Sequence, residues 1–355
     1  MFSKKTVVVG GVHIGGHYPV VVQTMLWRPL ADREGNLKDI WNVYNAGASL
    51  VRISFPSPDD FEHLRWLVKH SPIPVIADIH YDPRQVILAV KAGVHKVRWN
   101  PGTIGVSRVK EALRLLAKEN IPIRLGYNMA SLPKDRVKIG EHVKDAVLRI
   151  ANEDVDMLYS LGVENIVISI KSSTPNDNIE LNMRLSKWFE GPIHIGVTEA
   201  GTLLDGAIKS SYALGFLLKN QVGDTIRVSL SAEPVEEVRV AWKILCASIG
   251  QCRGINIVSC PKCARSTGPV WEIAQKIEDM YSSVEKNITV AVMGCAVNGP
   301  GEAKEADLGI AFGGYREAAL FKKGKVYKII KYTTEEDIMK LIDEELEKLL
   351  KEEDE

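Results

Sequence analysis

The chain has 355 residues, 45% hydrophobic and 25% charged, with a formal net charge of zero at pH 7. This is more chain than one average domain, with a composition ordinary for a globular enzyme. A neutral balance gives no global field toward nucleic acid or an anionic membrane, and no apolar run approaches the roughly 20 residues of a membrane span, so neither partner is expected.

The N-terminus carries Lys4 and Lys5 and turns at once to Gly10-Gly11, a poor secretory signal. A cytoplasmic setting is therefore expected. To about residue 250 one rhythm repeats, a short β-branched run followed by an amphipathic helical stretch. The runs are 20–24, 50–54, 75–80, 96–99, 121–127, 165–170, 193–197 and 225–230. Helical patterns fill the gaps, among them 106–119, 137–161 and 235–249, and Gly47, Gly93 and Gly162 stand where helix C-caps are expected. Eight strand–helix units predict an α/β fold, a (β/α)8 TIM barrel over 1–252. A doubly wound sheet is the alternative, but no Gly-x-Gly-x-x-Gly turn follows the first strand.

The rhythm breaks at 251–254. Residues 253–355 read as a smaller α/β domain. It has a helix over 269–282, strands at 288–293, 308–312 and 325–330, a Gly-rich turn at 298–302, and a helix from Glu335.

Active sites of such barrels lie at the C-terminal ends of the strands. Those ends carry Arg52; Asp78 and His80; Arg98 and Asn100; Arg124 and Asn128; Lys171; Glu199; and Arg227 with Ser229. A single strand-end arginine usually pairs with a loop carboxylate. Five cations, at 52, 98, 124, 171 and 227, would repel one another unless an anion sat among them. Guanidinium forks suit phosphate oxygens, so a small, diphosphorylated ligand is expected. Asp78 reads as a partner orienting nearby Arg or His. Glu199 reads as either a proton donor or a salt-bridge member, and His80 as either a packed core histidine or a site residue.

Five cysteines occur. Cys260 and Cys263 stand in Ser-Cys-Pro-Lys-Cys, and Cys295 in Met-Gly-Cys-Ala-Val-Asn-Gly-Pro-Gly-Glu, with Glu302 seven residues on. Three thiols and a carboxylate are an uncommon zinc set but suit an iron–sulfur cluster left one sulfur short. A structural zinc domain on a barrel transferase acting on a phosphorylated substrate stays open as an alternative. Cys246 and Cys252 read as ordinary thiols.

These motifs resemble the 4-hydroxy-3-methylbut-2-enyl diphosphate synthase family, an oxidoreductase family of the non-mevalonate isoprenoid pathway. The likeness runs through Val-Val-Gln-Thr-Met at 21–25, Ala-Asp-Ile-His at 77–80, Asn-Pro-Gly at 100–102, His-Ile-Gly-Val-Thr-Glu-Ala-Gly at 194–201, Gly-Asp-Thr-Ile-Arg-Val-Ser-Leu at 223–230 and both cysteine motifs. The first loop, 26–32, departs from the family's polar stretch.

The resemblance implies a TIM barrel joined to a 4Fe-4S domain, with Cys260, Cys263, Cys295 and Glu302 as the ligands. It implies reductive opening of 2-C-methyl-D-erythritol 2,4-cyclodiphosphate by two electrons from ferredoxin or flavodoxin. Arg52, His80, Arg98, Asn100, Arg124, Asn128, Lys171, Arg227 and Ser229 match the family's diphosphate-binding positions. Glu199 matches a carboxylate near the reacting carbons. A homodimer is implied as well.

Overall fold

The structure is a computed structural model describing residues 2–79, 82–102, 109–282, 284–295, 301 and 303–351. The chain divides into two compact units, Met1–Gln251 and Cys252–Glu355.

The first unit opens with a hairpin, β1 (Thr6–Val9) and β2 (Val12–Gly15), that the strand reading did not anticipate. Gly10 and Gly11 both have positive φ, the backbone a two-residue hairpin turn requires. The barrel elements then alternate: β3 (Val21–Met25), α1 (Arg33–Asn45), β4 (Leu50–Ser54), α2 (Phe61–His70), β5 (Val75–Ile79), α3 (Arg84–Ala92), β6 (Lys96–Trp99), α4 (Lys110–Lys118), β7 (Ile123–Asn128), α5 (Val143–Ser160), β8 (Ile166–Lys171), α6 (Pro175–Leu185), β9 (His194–Ile195), α7 (Leu203–Lys219), β10 (Thr225–Ile226) and α8 (Pro234–Ile249). Pro175 and Pro234 begin their helices, where the missing N–H costs nothing. Gly47, Gly93 and Gly162 all adopt positive φ behind helices, as the spacing predicts.

The eight parallel strands pair in the order β8-β7-β6-β5-β4-β3-β10-β9, and a bridge between Ile168 and Ile193 closes the ring. In a closed eight-stranded barrel, side chains from alternate strands fill the interior in layers of four. The registers here place Leu50, Lys96, Val167 and Thr225 in one layer and Gln23, Ile76, Arg124 and His194 in the next. Above these come Arg52, Arg98, Ser169 and Arg227, then Met25, Asp78, Gly126 and Gly196, then Ser54, Asn100, Lys171 and Ser229. The bottom is sealed by the hairpin, where Val7, Val9 and Ile14 pack on Val21, Leu50, Ile76 and Val167. From bottom to top the interior therefore changes from aliphatic to cationic.

The second unit is a five-stranded sheet ordered β11 (Ile255–Ser259), β12 (Ile288–Met293), β13 (Leu308–Phe312), β14 (Glu317–Lys322) and β15 (Lys325–Lys331). Helices α9 (Val270–Met280) and α10 (Glu335–Lys351) pack on its core through Ile273, Ile277, Ile338 and Ile342. β11, β12 and β13 are parallel, and β14 and β15 complete the sheet antiparallel. Among the described residues, no helix is long and apolar enough to cross a membrane.

Candidate functional site

A cavity of about 70 Å3 lies inside the upper barrel. Seven of the nine residues expected to bind substrate line it: Arg52, Arg98, Arg124, Asn128, Lys171, Arg227 and Ser229, joined by Thr198. Asn100 is buried at the same level, its Oδ1 accepting from the Gly102 N–H at 3.0 Å. His80 lies outside the described residues. Glu199 is exposed beside Thr198, with a left-handed backbone of φ +52° that a non-glycine residue adopts at a cost.

The cations are anchored unequally. Asp78 accepts from Arg98 Nη1 at 2.9 Å and lies 3.4 Å from Arg52 Nε. Glu237, on α8, accepts from Arg227 Nη2 at 3.0 Å and Nε at 3.1 Å, and also from the Thr24 hydroxyl and the Leu230 N–H. Arg52 Nη2 and the same Nε turn to the Met25 sulfur, 2.8 and 3.2 Å away, a weak acceptor. Arg98 Nε and Arg124 Nε and Nη1 are buried with no partner. Buried donors without acceptors are costly, and an oxyanion would satisfy them.

Electrostatics tell the same story. Burial lowers Arg52 to about 9 against the raising effect of Asp78, with Arg227 and Arg98 lowering it further. Arg124 and Lys171 are pushed well below their usual ranges by burial and by the surrounding guanidiniums. A guanidinium does not release its proton near neutrality. These shifts therefore register missing negative charge. Two glycines make room for the long side chains. A Cβ at Gly126 would sit 2.9 Å from Arg98 Nε, and one at Gly196 would sit 2.6 Å from Lys171 Nζ and 2.5 Å from the Arg227 carbonyl. Glu237, Met25, Gly126 and Gly196 were not among the residues expected from sequence.

In the second unit, the ends of β11 and β12 carry the thiols. Ser259 pairs with Val292, so Cys260 and the Gly294-Cys295 pair leave neighbouring strands at one edge. The Gly294 N–H donates to Cys260 Sγ at 3.1 Å. Cys263 is exposed, and hydrogen bonds from Arg265 hold its thiol below the usual range. A Cβ at Gly294 would lie 2.5 Å from Ser266 Oγ, so the cysteine loop packs closely on the strand end. Among the described residues, no three His, Cys, Asp or Glu side chains are gathered closely enough to hold a metal ion. The three thiols share one edge without forming a ready-made ligand set, and Glu302 lies outside the described residues. Their chemistry still fits a soft metal centre: three sulfurs, one already accepting a backbone N–H and one biased toward thiolate. Cys246 and Cys252, expected to be free, are disulfide-bonded.

Comparison with known proteins identifies the sequence pattern. Residues 4–242 match the family description "GcpE TIM-barrel domain", and residues 256–348 match "GcpE protein C-terminal domain". A protein of Natranaerobius thermophilus named 4-hydroxy-3-methylbut-2-en-1-yl diphosphate synthase (flavodoxin) is 42% identical, covering 96% of each chain. A protein of the same name from Clostridium perfringens is 43% identical over 98% of each. Among solved structures, dihydropteroate synthase from Yersinia pestis aligns with a TM-score of 0.51 at 17% identity, over 69% of this chain and 98% of that one. The enzyme from Burkholderia cenocepacia gives the same score and identity over 70% and 98%. At that identity the likeness concerns the barrel fold alone.

Proposed function

The chain belongs to the GcpE family, and we propose that it acts as its relatives are named, as a 4-hydroxy-3-methylbut-2-en-1-yl diphosphate synthase. In this reading it is an oxidoreductase of isoprenoid precursor synthesis that opens 2-C-methyl-D-erythritol 2,4-cyclodiphosphate with two electrons and two protons. One C–O bond to phosphate breaks, a hydroxyl leaves as water, and the allylic diphosphate remains. The observation that carries the reading is the convergence of Arg52, Arg98, Arg124, Lys171 and Arg227 on one cavity with too few carboxylates to neutralise them.

Those five cations would hold the diphosphate and stabilise charge developing on its departing oxygen. Arg227, fixed by Glu237, and Arg98, fixed by Asp78, arrive preorganised, while Arg124 and Lys171 await the ligand. Asn128 and Ser229 add neutral polar contacts at the rim. Glu199, exposed next to Thr198, is assigned the proton for the departing hydroxyl. Cys260, Cys263 and Cys295, with Glu302, are assigned to a 4Fe-4S cluster. When bound, that cluster would supply low-potential electrons to the substrate. Flavodoxin, part of the relatives' name, is the assigned electron donor, and the cytoplasm the assigned compartment. Family membership does not favour the zinc-bearing transferase.

The reading includes a homodimer, and α7 supplies a face for it. Leu204, Ile208, Tyr212 and Phe216 recur every fourth residue and are 71%, 59%, 58% and 47% exposed. Beside this ridge, Ala207, Ser211 and Gly215 open a concavity of about 800 Å3 toward Val240, Ile244 and Ala247 of α8. A ridge of large residues beside a groove of small ones can interlock with its own copy. Asp205 and Lys219 are exposed, each seven residues from Tyr212. A two-fold axis at Tyr212 would therefore set each aspartate against the lysine of the second copy.

The test is anaerobic. Protein purified under argon should carry iron and sulfide near four each per chain (about the content of one such cluster) and turn over the cyclodiphosphate with reduced flavodoxin. Cys295→Ala should lose iron and turnover together. Full turnover by iron-free protein would end the proposal.

A further inference from the structure

Lys96 begins β6 below the cavity and is fully buried, yet its Nζ has no hydrogen-bond partner. It faces the barrel axis in the layer with Leu50, Val167 and Thr225. Above it lie Gln23, Arg124 and His194, whose amide, guanidinium and Nε2 also hold unpartnered buried atoms. His194 Nδ1 is engaged with Thr225 Oγ1 at 2.6 Å.

Among the described residues, the charges facing this interior are Arg52 on β4, Asp78 on β5, Lys96 and Arg98 on β6, Arg124 on β7, Lys171 on β8, His194 on β9, Arg227 just after β10, and Glu237 reaching in from α8. Both carboxylates are engaged with Arg52, Arg98 and Arg227. Four guanidiniums cannot yield their protons, whereas an amine can. Burial, then Arg124 and Arg52, hold the Lys96 ammonium well below its ordinary range.

We propose that Lys96 is a neutral amine in the empty barrel and becomes an ammonium as the diphosphate binds, so that ligand capture takes a proton from solvent. The inference rests on the cyclodiphosphate reading above. The step is Lys–NH2 + H+ → Lys–NH3+, with the proton supplied by buffer and no electron moved. The ligand's two negative charges supply the attraction that the empty barrel lacks. The ligand itself cannot be the acceptor. Each phosphorus of a cyclic diphosphate keeps one strongly acidic oxygen, and neither titrates near neutrality.

Calorimetric titration of the holoenzyme with the cyclodiphosphate, under argon and without reductant, tests this. Run at pH 7.5 in buffers of different ionisation heat, wild type should take up about one proton or more per ligand bound, and Lys96→Met one fewer. Across pH 7 to 9, each proton taken up costs about tenfold in affinity per pH unit, so the variant's slope should be shallower by one. Equal uptake in both proteins overturns the proposal. So does zero uptake in wild type, which needs no variant to fold. Binding heat without uptake sinks this inference alone, whereas absence of binding heat removes the cyclodiphosphate reading with it.

Discussion

Glu237 grips Arg227 through two hydrogen bonds of 3.0 and 3.1 Å, from a helix that follows the arginine's own strand. The same carboxylate also holds Thr24 and the Leu230 N–H, so one buried side chain ties β3, the segment after β10 and α8 together at the cavity wall. Removing one partner of a buried ion pair leaves an uncompensated charge, at a cost of about 3 kcal/mol or more. Glu237→Gln should lower the unfolding midpoint in urea by a corresponding amount and raise KM for the cyclodiphosphate about tenfold, with iron content unchanged. A wild-type KM would show that Arg227 needs no such anchor.

Gly196→Ala should act on the site without replacing any of its charged groups. The new methyl would meet Lys171 Nζ, which can swing away, and the Arg227 carbonyl, which cannot move without the strand. We expect kcat/KM to fall about tenfold or more (about 1.4 kcal/mol) with the iron–sulfur absorbance intact. Normal steady-state kinetics would mean that the upper barrel has more room than its packing implies.

Acid should loosen the barrel through its histidines. Burial holds His95 below the usual imidazole range, and its Nδ1 accepts the Val75 N–H at 3.1 Å; fully buried His194 shifts the same way. A depressed folded-state value means the unfolded chain binds protons first. The stability they contribute is thus complete above about pH 6.5 and declines as pH falls below it. Melting temperature should be flat from pH 8 to 7 and drop toward pH 5.5, less steeply in His95→Gln. Identical profiles for the two proteins would assign the acid loss elsewhere.

Charge reversal can test the proposed two-fold face. Asp205→Lys and Lys219→Asp should each weaken dimerisation about tenfold by placing like charges in opposition, and the double variant should recover. Sedimentation velocity reads this directly. A monomeric wild type, or a double variant no better than the singles, would place the interface elsewhere or nowhere.

Much of the barrel could be read from the chain because its strands are β-branched runs with charged ends. Arg52, Arg98, Arg124, Lys171 and Arg227 stand out against such runs, and the cavity gathers all five. What escaped lies where periodicity carries no such contrast. Glu237 sits on its helix beside half-buried Glu236, and only the fold turns it inward. Lys96 opens its strand, at the opposite end from the C-terminal positions where barrel sites gather. The hairpin strands are four residues each, though the Gly-Gly between two runs bearing β-branched residues was a signal for them. β14 reads Glu-Ala-Ala-Leu-Phe-Lys, a helical composition that pairing on both sides overrides.

The hairpin under the barrel makes the interior blind-ended. Whatever enters at the rim, ligand or proton, must leave by it. A floor of valine and isoleucine thus keeps the charges above it responsive to a single guest.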